Sequence, residues 1–218
     1  MGAFEGLKTF FEKSLEEIAS QLNYSEENIL ILKGKQDELR IKFPKIYENL
    51  VSCRHNRDCR TEIQYAQDLV ASWLFEDYIM QCFRDMGENI TLHGKDCNRA
   101  ILPDAAVSST SDYLYEYDGK EIKIELMTDY KGYWKKQGKL DLRDDKFKKL
   151  SNEKSLLLAV SVASKTYYLI DFRKRVPAVF IASHFPYGGK PAQSINLTSF
   201  GSKIFTIQNL IDDIKHML

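Results

Sequence analysis

Cysteine is scarce in this chain, four residues in 218, which excludes a disulfide-stapled scaffold and makes a reducing cytoplasm the expected compartment. Proline (five) and glycine (eleven) are also few, too few for a collagen-like or linker-rich chain. Long apolar runs are missing. The longest, Leu156 to Ala163 with Ser161 inside it, is far too short to span a bilayer, so no membrane partner is expected. Glu5, Glu12, Glu16 and Glu17 interrupt the basic-then-apolar order of a secretory leader, so none is expected. There is no internal repeat, no low-complexity stretch, no Walker-type glycine loop and no G-x-S-x-G. Net charge is absent too, with 31 Lys+Arg against 31 Asp+Glu. That zero argues against a nucleic-acid partner only if the charge is evenly spread.

It is not evenly spread. Residues 1–30 hold six acids against Lys8 and Lys13, a balance of −4. Residues 130–150 hold eight basic side chains against Asp141, Asp144 and Asp145, a balance of +5. Arg54, Arg57 and Arg60, opposed only by Asp58, form a second positive spot. Apolar residues at 44% and aromatics at 12% suffice for a core, and the length suits one large domain or a core domain with an appendage.

The first sixty residues read as helices, with Phe4, Leu7, Phe11, Leu15, Ile18 and Leu22 in one apolar stripe. Ser25 is a plausible N-cap for the next segment, and Ile41-Lys42-Phe43-Pro44 breaks the pattern. A long helix is expected from Thr61 to about Met86, ended by Gly87. Strands and loops follow, with a hairpin over 112–127, a short basic helix over 139–150 and strands at 155–162 and 165–172. A further strand is possible at 177–182, a loop-like region is expected over 183–203, and a helix over 206–218 closes the chain. The expected fold class is α/β (α+β), a central mixed sheet flanked by helices, divided into an N-terminal helical region (1–60) and a core domain (61–218).

The hairpin is the most informative segment. Asp118-Gly119 between two β-prone runs calls for a type I′ turn. A two-residue loop sets Tyr117 opposite Lys120, Tyr115 opposite Ile122 and Tyr113 opposite Ile124, aromatic and β-branched pairs on one face. The same register sets Asp112 across from Glu125, where Cβ atoms are about 4.5–5.5 Å apart. Two carboxylates that close repel unless a proton or cation lies between them, and hard oxygen ligands suit Mg²⁺ or Ca²⁺. Against this stands the plainer reading of two exposed acids, since Glu116 opposite Glu121 is a like-charged pair too. A third acid, Glu76, falls inside the helix stripe of Leu69, Trp73, Met80 and Phe83, where burial without a partner is costly.

Phe75-Glu76, then Phe83 and Gly87, a strand, Asp112, the hairpin and Ile122-Lys-Ile-Glu125-Leu-Met127 together resemble the core of the PD-(D/E)xK nucleases. The stretches Thr128–Trp134 and Leu140–Lys146 are similar to type II restriction endonucleases of that superfamily. The resemblance covers about residues 61–172 and implies a restriction-endonuclease-like core with one or two Mg²⁺ per site. It implies that Asp112 and Glu125 are metal ligands, that Leu126 offers its main-chain carbonyl and that Glu76 is the helix acid. Pro103-Asp104 supplies a literal Pro-Asp pair, so Asp104 competes for the first role. Met127 stands where the family usually has the catalytic lysine. Lys123 or Lys131 could substitute, the enzyme could use a different residue there, or the protein could bind without cutting well.

The basic segment after the metal strand would border the scissile phosphate. Lys131, Arg143 and Lys146 are expected DNA contacts, with Arg54, Arg57, Arg60, Lys95 and Arg99 as further ones. Tyr130, Tyr133 and Trp134 interleave with these charges, and the loop Pro186–Lys190 could reach a groove. Cys53, His55 and Cys59, with His93 and Cys97, lack the C-x2-C spacing of zinc ribbons, so zinc is not expected. The function expected is a Mg²⁺-dependent endonuclease cutting double-stranded DNA at a specific sequence, acting as a homodimer. The alternatives are a repair or junction nuclease on the same core, a DNA-binding protein with a weak site, and an interaction protein whose two acids are surface residues.

Overall fold

The computed structural model describes residues 2–53, 60–93, 97–101 and 111–218, with Cys53 in its backbone only. The described residues form two compact units. The first takes in residues 1–82 and 94–110, and the second residues 83–93 and 111–218. The N-terminal helices therefore share a unit with most of the long helix that follows them.

In the first unit run α1 (Ala3–Lys8), α2 (Leu15–Gln21), α3 (Glu26–Leu32), α4 (Gln36–Lys42) and α5 (Pro44–Cys53). The expected single stripe is split between α1 and α2. Ser14 starts a new helix with a reciprocal cap: its hydroxyl accepts from the Glu17 amide at 3.2 Å, and the Glu17 carboxylate accepts from the Ser14 amide at 2.8 Å. The apolar residues before the cap are not wasted. The rings of Phe10 and Phe11 pack edge-on against Phe75, at 5.4 and 5.9 Å between centroids. The long helix is α6 (Glu62–Asp85), and Gly87 beyond it takes φ +80°, as a left-handed stop requires.

The second unit is β1 (Asn89–Leu92), β2 (Tyr113–Tyr117), β3 (Lys120–Asp129), α7 (Tyr133–Gln137), β4 (Lys139–Arg143), α8 (Asp144–Glu153), β5 (Leu156–Ser161), β6 (Thr166–Asp171), β7 (Val179–His184), β8 (Lys190–Asn196), β9 (Lys203–Ile204) and α9 (Ile207–Met217). Six strands make one mixed sheet in the order β1-β2-β3-β5-β6-β9, and β4-β8-β7 make a second. Among the described residues only the β3–β5 pair is parallel, and α8 lies in the crossover between those strands. The turn residues Asp118 and Gly119 have φ +50° and +69°, and the register pairs Tyr117 with Lys120, Tyr115 with Ile122 and Tyr113 with Ile124. Every residue of β5 is buried, which explains its unbroken apolar sequence.

Two segments differ from expectation. Residues 139–143 form a strand rather than the start of a helix, because Leu140 and Leu142 alternate into the core while Lys139, Asp141 and Arg143 alternate out. The helix begins only at Asp144. Residues 190–196, expected as loop, form the central strand of the small sheet. Pro191 is tolerated there because the β7–β8 ladder is irregular between Ile181 and His184, beside it. Leu140, Leu142, Leu150, Leu157, Ile170 and Ile195 build the core where the two sheets and α8 meet. No described helix is long and apolar enough to cross a membrane.

Candidate active site

β3 carries the site. Its ladder with β2 closes at Tyr113–Ile124, so Asp112 and Glu125 are the next residues outward. Asp112 is fixed through both its main chain and its side chain. Its carbonyl accepts from the His93 amide at 2.8 Å, and its carboxylate accepts from the Leu126 amide at 2.6 Å. That second bond holds the Asp112 carboxylate on the Glu125–Leu126 peptide. Leu126 itself pairs with Leu158 in the parallel ladder.

Glu125 is 6% exposed, an unusual depth for a glutamate. Its burial is compensated by α8. Lys146 Nζ lies 2.6 Å from Glu125 Oε1, and Lys149 Nζ lies 3.4 Å from Oε2. Three residues apart on a helix, the two lysines share a face and reach the same carboxylate. Lys146 was expected on DNA; here its ammonium is engaged by Glu125, with the side chain 26% exposed.

Met127 follows Glu125 on the same strand face, opposite Ala159, and packs against the core cluster that contains Leu140, Leu157 and Phe172. A thioether suits that apolar contact, whereas an ammonium there would lose its hydration. Farther along β3, Asp129 is buried and receives the amides of Lys131 at 3.0 Å and Trp134 at 2.8 Å. It thereby shapes the turn into α7, a role that its position at a strand end signals and that sequence reading overlooked. Lys131 is exposed, and Arg143 is half-exposed with Asp145 at 3.3 Å.

Glu76 belongs to a different cluster, in the first unit. Arg99 Nη1 lies 2.8 Å from Glu76, and Arg99 Nη2 lies 2.6 Å from Asp77. The Tyr24 hydroxyl donates to Asp77, the Asn28 side-chain amide donates to the Arg99 carbonyl at 3.2 Å, and the Arg99 guanidinium lies 5.9 Å from the centre of the Trp73 ring. Burial, reinforced by the Asp77 charge, pushes the Tyr24 phenol far above its ordinary range, so it remains a donor. Arg99, expected on phosphate, is thus committed to two acids. Arg60, expected likewise, pairs with Asp68 at 2.5 Å and lies over the Tyr65 ring.

Arg54, Arg57, Lys95, Asp104, His55 and Cys59 lie outside the described residues, as does the Cys53 side chain. Among the described residues, no three His, Cys, Asp or Glu side chains gather closely enough to hold a metal by themselves. Compared with known proteins, the chain matches no family model and no curated relative.

Proposed function

We propose that the chain is a Mg²⁺-dependent endonuclease with a PD-(D/E)xK-type, restriction-endonuclease-like core, cutting both strands of double-stranded DNA at a specific sequence as a homodimer. The observation that carries the reading is the Asp112 carboxylate bonded to the Leu126 amide beside a buried Glu125. What supports it further is chain order: a long helix, an antiparallel strand and hairpin, a crossover helix and a parallel strand.

The donor chemistry fits Mg²⁺. Asp112, Glu125 and the Leu126 carbonyl offer hard oxygens, and Mg²⁺ is commonly held by one or two carboxylates with waters and substrate phosphate completing its shell. The two ammonium groups on Glu125 mark a carboxylate that attracts cations. When bound, the ion polarises the scissile phosphate and lowers the pKa of the attacking water.

The chain's own residues do the rest. The Leu126 amide and His93 amide fix Asp112, so its carboxylate needs little reorganisation. Lys146 takes the role that Met127 cannot fill, donating from its ammonium to a phosphate oxygen or to the attacking water. Lys149 stays on Glu125 and holds it oriented. Lys131 and Arg143 neutralise flanking phosphates.

Long duplex DNA incubated with the chain and Mg²⁺ is expected to give discrete fragments, and none in EDTA. Smears or cuts confined to junctions would favour a repair nuclease. One observation favours a second reading, a DNA-binding protein that does not cut: Met127 packs against the core cluster and both Glu125 oxygens already have cationic partners. Salt-dependent binding with intact DNA would support it.

A further inference from the structure

Beyond the acidic pair, the second unit contains a cavity of about 510 Å³ lined by Lys131, Tyr133, Trp134, Lys139, His184 and Tyr187, among others. Its volume falls in the range of small-molecule sites. Three chain segments build it. Asp129 fixes one wall by holding the Lys131 and Trp134 amides. The opposite wall is the end of β7 and the turn Phe185–Tyr187, returned by Gly188 and Gly189 at φ +64° and +80°. β4 contributes Lys139 and Asp141.

The polar groups are tied together. His184 Nε2 lies 2.9 Å from Asp141 Oδ2, and the Tyr187 hydroxyl donates to the Asp141 carbonyl at 2.5 Å. The His184 and Tyr187 rings lie 4.7 Å apart, tilted by 34°. Burial raises the Asp141 carboxyl, but Ser194, His184 and Lys139 outweigh it and hold it below the ordinary carboxylate range. With Asp141 ionised and Lys139 at 3.3 Å from it, that pair is balanced. Lys131 is then the uncompensated charge, since its ammonium makes no ion pair among the described residues. His184 Nδ1 is shielded from water and has no hydrogen-bond partner among them either. The accessible lining thus combines aromatic planes with one spare cation. A planar group that carries one phosphate matches both.

We propose that this cavity binds a single nucleotide, its base against Tyr133 and Trp134 and its phosphate on Lys131. The nucleotide can come from free mononucleotide or from an unpaired position in a strand. The site needs no metal and is separate from Asp112 and Glu125, so it can be tested in EDTA whatever the outcome for cleavage.

The test is calorimetric titration of the full chain, in EDTA at low salt, with each deoxynucleoside monophosphate and the matching nucleosides. Quenching of Trp134 provides a local readout, since the other tryptophan, Trp73, is only 3% exposed. At least one monophosphate is expected to bind and quench, with its nucleoside about tenfold weaker. Tyr133 is 60% exposed, so Tyr133→Ala leaves the fold intact. It is expected to weaken binding by roughly five-fold or more, the loss of one stacked base. Lys131→Ala should weaken the monophosphate but not the nucleoside, and Lys135→Ala, outside the lining, should do neither. A short single strand and a duplex with one unpaired base, each compared with matched duplex, separate the sources. Preference for the unpaired base that Tyr133→Ala abolishes identifies a strand nucleotide; equal affinity for strand and monophosphate identifies the free form. No binding of any monophosphate, together with strand binding indifferent to both Tyr133→Ala and Lys131→Ala, would overturn the proposal. Glu125→Gln is expected to retain the binding, which separates this site from the nuclease reading.

Discussion

Each unit of the molecule sets a buried acid beside a partly buried one, Asp77 with Glu76 and Glu125 with Asp112, and the two sets are compensated in different ways. In the first unit, Asp77 and Glu76 share one arginine whose guanidinium engages both, with a tyrosine hydroxyl completing Asp77. Those side chains are 10–16% exposed, and an arginine cannot be deprotonated or easily displaced. In the second unit, Glu125 faces two lysines on long flexible stems, and Asp112 leans on a main-chain amide. A lysine can withdraw and leave its carboxylate to another cation. The first cluster is a closed structural knot and the second an exchangeable site, although both look alike as acids in a sequence.

The sharpest way to break this contrast is Arg99→Met. Removing the shared cation strands a buried and a partly buried carboxylate, and a loss of about 3–5 kcal/mol in urea unfolding is expected. A loss under about 1 kcal/mol would show that the first cluster is not closed. Glu125→Gln comes next and acts on activity rather than fold. Cleavage is expected to fall at least about a hundredfold, equivalent to ~2.7 kcal/mol, with unfolding changed far less than in Arg99→Met. Met127→Lys puts an ammonium against the core cluster and is expected to cost about 1–3 kcal/mol of stability without raising cleavage. Faster cleavage in that variant would return the catalytic slot to position 127. Lys146→Ala is expected to lower cleavage about tenfold, ~1.4 kcal/mol, while DNA affinity changes less.

The smallest effect is a matter of pH. Asp141 has a carboxyl held below its ordinary range by Ser194, His184 and Lys139 against the opposing effect of burial. Its stabilisation is therefore fully present above the unfolded value of about 3.9 and is lost as pH falls through the lower native value. Melting temperature followed downward from about pH 5 should drop less steeply in Asp141→Asn than in the parent. Asp145→Asn, at a side chain 71% exposed, is the surface comparison.

The hairpin was legible because everything that defines it is local. Asp118-Gly119 fixes the turn, and the alternation around it fixes which residues meet as far as Tyr113 and Ile124, which leaves Asp112 and Glu125 just beyond the end of the ladder. The end of α6 was legible from Gly87 for the same reason. β4 was misread because its apolar signal is only Leu140 and Leu142, set in a lysine-rich stretch that also suits a helix. The partners of the acids were not legible at all. Lys146 and Lys149 reach Glu125 only because the crossover helix packs beside β3, and Arg99 reaches Asp77 across 22 residues of sequence. A basic residue that serves an ion pair and one that serves a phosphate have the same letter in the sequence. His184 and Asp141 were likewise invisible as a pair, because 43 residues separate them.

The contrast between a closed and an exchangeable acidic pair reduces to where a divalent ion binds. Mn²⁺ titrated into the chain with duplex DNA, followed by water-proton relaxation, reads that directly. An exchangeable site at Asp112 and Glu125 requires about one or two ions per chain, lost in Asp112→Asn and Glu125→Gln and retained in Glu76→Gln. No bound Mn²⁺ in the parent chain, or an ion lost in Glu76→Gln and kept in Glu125→Gln, would contradict it.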